Sequence, residues 1–179
     1  MFFRMNNNKG FTLVEMLMYI SIMVVGGSVI ASFLPELIRK NSYIQAKAEV
    51  LNNTRNAMET MAQEIKRASG VYTPTSQFGA NPGQLSLETR INPMTGEELT
   101  YVDFYVDDDR LYVKRENQSA QLLLSEKIKI NSLIFTHLNS AGDYPAIRIS
   151  LTASYDAPSA ELQAQSQINL VSTVSLRSY

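Results

Sequence analysis

The chain has 179 residues and a formal charge of -1, with 45% of its residues apolar. That is the length of one domain, or of one small domain with an appendage, and the balanced charge argues against a generic nucleic-acid binder. Without cysteine there can be no disulfide, thiolate metal site or cysteine nucleophile, and a single histidine rules out a multi-histidine metal cluster. The average hides an uneven distribution. Five of the eight methionines fall within the first 23 residues, and no acidic residue precedes Glu15.

Residues 1–10, MFFRMNNNKG, carry Arg4 and Lys9 and lead directly into an apolar stretch. From Phe11 to Leu34 the only charge is Glu15. As a helix, this stretch reaches roughly 36 Å, enough to cross a hydrocarbon core of about 30 Å. A secretory signal peptide would have a shorter apolar region followed by a small-residue cut site. Here the candidate processing residue, Gly10, comes before the run. The segment therefore reads as a single membrane span. Arg4 and Lys9 should hold the N-terminus in the cytoplasm and place the rest outside, with Arg39 and Lys40 weakening the asymmetry and Glu36 partly offsetting them. A carboxylate at the depth of Glu15 costs about 2–3.5 kcal/mol, less near the interface, so it calls for headgroup contact or a cationic partner.

Lys9-Gly10-Phe11-Thr12-Leu13-Val14-Glu15 resembles the class III signal of type IV pilins and pseudopilins. That pattern has a basic leader, a glycine before the cut, a methylatable phenylalanine and a glutamate at the fifth mature position, all ahead of a long apolar helix. The resemblance implies that prepilin peptidase cuts between Gly10 and Phe11, that Phe11 is N-methylated, and that Glu15 pairs with the N-terminal amine of a neighbouring subunit. Cleavage leaves 169 residues with side-chain charges of 14 bases against 17 acids, or -3. The implied partners are prepilin peptidase, other pilins or pseudopilins and inner-membrane lipid. No cofactor, metal or small-molecule substrate is implied.

Beyond the span, apolar positions recur at helical spacing at Leu37, Ile44, Ala48, Leu51, Met58, Ala62 and Ile65, predicting an amphipathic helix over 35–70. Lys47, Arg55, Glu59, Glu64 and Lys66 would form its wet face, with Gly70 as the stop. Unbroken, Phe11 to Ala68 would measure roughly 87 Å. Gly26, Gly27 and Pro35 are its weak points, and a break is expected within 26–35. Close helix packing at Gly26, Gly27 and Ala31 is the alternative use of the small residues.

From residue 71 onward the pattern changes to strands and turns. Residues 71–84 read as a loop, Leu85–Glu88 as a short strand and Asn92–Gly96 as a turn. Thr100–Val106 and Arg110–Arg115 make a hairpin around Asp107-Asp108-Asp109. Leu122–Leu124, Ile128–Leu138, Ala146–Tyr155 and Ile168–Leu176 complete the strands, with a polar tongue at Ala157–Gln167. The expectation is an α+β chain in which a long helix packs on one antiparallel sheet of five to seven strands at 71–179. That order resembles the pilin fold. Glu64-Ile65-Lys66-Arg67-Ala68, Leu133-Ile134-Phe135 and Thr173-Val174-Ser175-Leu176-Arg177 resemble J-type minor pseudopilins.

Candidate chemical sites are sparse. Asp107, Asp108 and Asp109 could bind calcium, but three adjacent carboxylates cannot all face one ion and a solvated turn is the better reading. His137 has no companion ligands, Glu97-Glu98 reads as exposed loop charge, and there is neither a phosphate loop nor a nucleophile elbow. The chain is not expected to be an enzyme. The resemblance implies a minor pilin or pseudopilin near a filament tip, serving type II secretion, a type IV pilus or DNA uptake. The rival reading is a membrane-tethered binding domain that never polymerises.

Overall fold

The computed structural model describes residues 10–93, 95–138, 145–158 and 161–176. Two units divide the chain, Met1–Asn41 and Ser42–Tyr179. The N-terminal helix, α1, is assigned from Leu13 to Arg67 and so contributes to both.

In the first unit every described residue is exposed. Phe11, Leu13, Met23 and Ile30 are all more than two-thirds exposed, so this stretch buries nothing within its own chain. It is long and apolar enough to cross a membrane. Its serines are satisfied locally: the hydroxyls of Ser21, Ser28 and Ser32 donate to the carbonyls of Leu17, Val25 and Val29 at 2.7, 2.8 and 2.8 Å. That economy suits a helix with no water to serve as partner. The break expected within 26–35 is absent from the single chain. The helix passes through Gly26, Gly27 and Pro35, because one proline removes only its own bond to the carbonyl of Ala31 and leaves neighbouring turns intact.

In the second unit, α1 is one layer of an α+β, pilin-like domain. Its buried residues are Ala46, Val50, Thr54, Ala57, Met58, Met61 and Ile65. That face is turned from the expected stripe: Leu37, Ile44 and Ala48 are exposed, whereas Met58 and Ile65 are buried. A polar residue conceals the true phase. The Thr54 hydroxyl donates to the Val50 carbonyl at 2.6 Å and can therefore lie in the core. Glu64 also departs from the wet face, with a side chain only 14% exposed and ion-paired to Arg115. The helix ends at Arg67, and Gly70, expected as the stop, begins a strand.

Among the described residues eight strands follow, in two antiparallel sheets instead of the single sheet expected. The five-stranded sheet runs in chain order: β1 (Gly70–Val71), β2 (Leu85–Thr89), β3 (Thr100–Asp107), β4 (Arg110–Arg115) and β5 (Gln121–Leu122). The three-stranded sheet is β6 (Ile128–Leu138), β7 (Ala146–Tyr155) and β8 (Gln167–Ser175). The separation has a backbone cause. The outer edge of β6 is occupied by loop groups: Gly79 and Gly83 N–H donate to the Phe135 and Leu133 carbonyls at 2.9 and 2.7 Å. Asn81 Oδ1 accepts from Leu133 N–H at 3.2 Å, and Asp109 O accepts from Ile130 N–H at 2.8 Å. With these bonds made, β6 cannot pair with a strand of the first sheet.

One hydrophobic core joins the layers. Val50, Ala57, Met61 and Ile65 from the helix meet Leu85, Leu87 and Phe104 from one sheet and Leu133, Phe135, Ile149 and Leu151 from the other. Fully burying each large side chain contributes about 1.5–3 kcal/mol, the main stabilisation open to a chain with no disulfide. Arg115 to Glu64 ties sheet to helix, and Arg110 ties β4 to the second sheet through Asp156 at 2.7 Å and the Ile128 carbonyl at 2.7 Å. The expected polar tongue contains a short 3-10 helix, Leu162–Gln165, followed by a buried Ser166.

Candidate functional site

The start of the helix is built by a cap that the sequence reading overlooked. Thr12 precedes the first helical residue; its Oγ1 accepts from Glu15 N–H at 3.3 Å and its carbonyl accepts from Met16 N–H at 3.1 Å. Thr12-Leu13-Val14-Glu15 has the spacing of a capping box, with the acid at the third helical position. Glu15 thus lies in the first turn, where the helix dipole favours negative charge. The threonine and the glutamate three positions later were legible as a helix start.

Gly10 and Phe11 lie just outside this turn and are both exposed. A Cβ added at Gly10 would meet nothing within 4 Å, so packing among the described residues does not require glycine there. The Phe11 ring packs edge-on to Tyr19, with centroids 6.3 Å apart at 77°. Two residues from the helix, an accessible peptide bond between Gly10 and Phe11 sits beside an acid held by the first turn. Lys9 lies outside the described residues.

Gly26 and Gly27 also have open space where a Cβ would stand. Pro35 is followed by an i,i+4 ion pair, Glu36 to Lys40 at 2.7 Å. The Lys40 ammonium, by hydrogen bond and then by charge, lowers the Glu36 carboxyl below its ordinary value.

The other candidates lie in the second unit, on different elements of it. Asp108 and Asp109 have φ of 46° and 56°, the left-handed pair of a two-residue hairpin turn. Asp107, Asp108 and Asp109 are all exposed, and Asp109 uses its carbonyl to hold Ile130. Glu97 and Glu98 are exposed in the loop before β3. His137, half-buried on β6, stacks on Phe78 with centroids 5.3 Å apart at 25°. Its Nε2 is buried without a hydrogen-bond partner among the described residues. No group of three or more histidine or acidic side chains is placed to hold a metal among the described residues.

Residues 5–31 match the prokaryotic N-terminal methylation motif. The matched span includes Lys9, Gly10, Phe11, Thr12, Glu15, Gly26 and Gly27. No curated protein and no solved structure matches the chain. The motif supports a type IV pilin-like reading, and together with the apolar helix it fits a single-pass inner-membrane protein.

Proposed function

We propose that the chain is a minor pilin or pseudopilin subunit, cut between Gly10 and Phe11 and assembled through its N-terminal helix at or near the tip of a pilus or secretion pseudopilus. The observation that carries this reading is the methylation motif over 5–31, which falls on an exposed Gly10–Phe11 bond immediately before a capped apolar helix. In this reading Arg4 and Lys9 keep the leader in the cytoplasm for prepilin peptidase, and Phe11 becomes the methylated N-terminus. Glu15 neutralises the new amine of a neighbour, so an acid costly in lipid sets subunit register. The apolar surface from Leu13 to Leu34 moves from lipid into contact with other helices, and the open faces at Gly26 and Gly27 admit close approach. Loosening of the helix near Pro35 belongs to that assembly step.

The outer domain would choose the partners. Its β8 edge supports this role: Gln167–Ser175 is nine residues long, contains no charge and no proline, and pairs only with β7 among the described residues. Soluble proteins usually blunt such an edge, and a neighbouring subunit can extend it. The deciding experiment is mass spectrometry of the N-terminus of the chain expressed with prepilin peptidase. The expected species begins at a methylated Phe11. A chain that keeps residues 1–10 under those conditions overturns the proposal in favour of a tethered domain that does not polymerise.

A further inference from the structure

On the five-stranded sheet, alternate residues turn away from the core. Val102, Phe104 and Val113 are buried, while Tyr101, Asp103, Tyr105, Tyr112 and Lys114 face outward. The segment 72–84 folds over part of that outer face. Tyr72 N–H donates to the Ser86 carbonyl at 2.9 Å, Ser86 N–H donates to Ser76 Oγ at 3.0 Å, and Thr75 Oγ1 bonds Ser86 Oγ at 2.7 Å. Ser86 is buried beneath it. Between this overlay and β3–β4 lies a cleft of about 400 Å³, within the range of ligand sites.

The cleft is lined by side chains of definite chemistry. The Tyr72 and Tyr101 rings stand 5.1 Å apart at 63°, forming an aromatic corner. Glu116 is fixed beside them by two bonds to one residue: its Oε2 accepts from Tyr101 N–H at 3.2 Å and its own N–H donates to the Tyr101 carbonyl at 3.0 Å. Asp103 and Lys114 are cross-strand neighbours in register, yet they form no ion pair within 4.0 Å, the described ion pairs being elsewhere. Among the described residues the carboxylate of Asp103 therefore has no ion-pair partner. The field is negative at the phenol of Tyr101, which is pushed up by burial and then by Glu88, Tyr72, Glu116 and Glu97.

Aromatic faces, one fixed carboxylate and a second beside it together favour a cation. An anion such as phosphate would meet two carboxylates and one lysine, and an apolar group would bury polar walls without partners. We propose that this cleft receives a cationic side chain, an arginine or a lysine, of a partner protein. Tyr72 and Tyr101 would supply ring faces, Glu116 and Asp103 the counter-charges, and Lys114 a rim cation that tempers affinity. The assignment does not depend on leader cleavage or polymerisation.

The test uses the full chain in detergent micelles with ¹³C-labelled tyrosine rings, titrated with N-acetyl-arginine amide. Neutral N-acetyl-citrulline amide and N-acetylglucosamine are run in parallel. The arginine compound is expected to shift the Tyr72 and Tyr101 signals saturably and more weakly in high salt, while the other two leave them unmoved. Glu116→Gln, which keeps the acceptor for Tyr101 N–H, should weaken binding about threefold or more, and Lys114→Gln should tighten it. Equal response to citrulline, a response to the sugar instead of arginine, or unchanged affinity in Glu116→Gln would each overturn the proposal. Loss of binding in Tyr101→Ala counts only if its remaining ring signals keep their native positions; the two conservative variants decide the question if it does not fold.

Discussion

Replacing Glu15 with alanine separates the membrane role of the N-terminal helix from its assembly role. Within the single chain little should change. The bond at the helix start comes from the backbone N–H of residue 15 to Thr12 Oγ1, which alanine retains. Only the favourable interaction of the carboxylate with the helix dipole is lost, about 0.3–1 kcal/mol. Insertion should improve, because up to about 2–3.5 kcal/mol of cost for an acid in lipid disappears. Assembly moves in the opposite direction. An amine and a carboxylate at about 4 Å attract by roughly 4 kcal/mol at an effective dielectric constant near 20, and desolvation takes back part of this. A net coupling of about 1.5–3 kcal/mol remains as a working figure, worth about ten- to a hundredfold in incorporation. The assay is co-expression with prepilin peptidase and partner subunits, followed by mass spectrometry of the membrane fraction and quantitation of the variant in sheared filaments. Normal processing with at least tenfold less incorporation is expected. Incorporation within twofold of the parent would refute the amine–carboxylate argument. Failure of the alanine variant to insert would refute the statement that the acid is a cost in lipid.

The other expectations follow from particular contacts. Gly10→Leu should leave the leader attached, seen as a chain still carrying residues 1–10 by mass spectrometry, while the outer domain keeps its melting temperature, since residue 10 packs against nothing among the described residues. Met61→Ala removes a fully buried side chain from the helix–sheet core and should cost about 2–5 kcal/mol in chemical denaturation. Glu64→Gln breaks the pair with Arg115, whose side chain is 35% exposed, so the loss should be near 1 kcal/mol and should shrink with added salt. Tyr101 resists ionisation in the folded state, so this residue contributes stability that is complete below the ordinary tyrosine value and lost as pH rises toward the folded one. Ultraviolet titration should show one tyrosine ionising late, and Tyr101→Phe should remove that step.

The strands were the most legible part of the fold. Ile147, Ile149 and Leu151 alternate with Arg148, Ser150 and Thr152, and β7 occupies Ala146–Tyr155, the bounds given by pattern alone. β6 also has its expected limits, and the aspartate run marks the β3–β4 turn because aspartate tolerates the left-handed backbone found at Asp108 and Asp109. The division into two sheets was hidden because it depends on main-chain donors in a glycine- and proline-rich loop. No side-chain periodicity reports that Gly79 and Gly83 will take the Phe135 and Leu133 carbonyls. The helix face was misjudged for a related reason: Thr54 is polar in composition and apolar in effect once its hydroxyl is returned to Val50.

The same distinction explains why the N-terminal site was readable and the outer cleft was not. Gly10, Phe11, Thr12 and Glu15 lie within six consecutive residues, so spacing alone brings the bond, the cap and the acid together. Tyr72, Tyr101 and Glu116 are separated by 29 and 15 positions, and only the antiparallel register and the overlay of 72–84 make them neighbours. A motif records chemistry that is local along the chain, whereas a cleft records chemistry that folding assembles. In the proposed reading, a short leader-adjacent signal brings the subunit into the filament, and the surface that distinguishes it from other subunits is written where sequence patterns are weakest. Variants of Glu15 and of Glu116 should therefore fail independently: Glu15→Ala should keep its tyrosine response to arginine, and Glu116→Gln should be cleaved and inserted as the parent is. Loss of both properties in either single variant would show that the two surfaces are coupled and would remove this separation of roles.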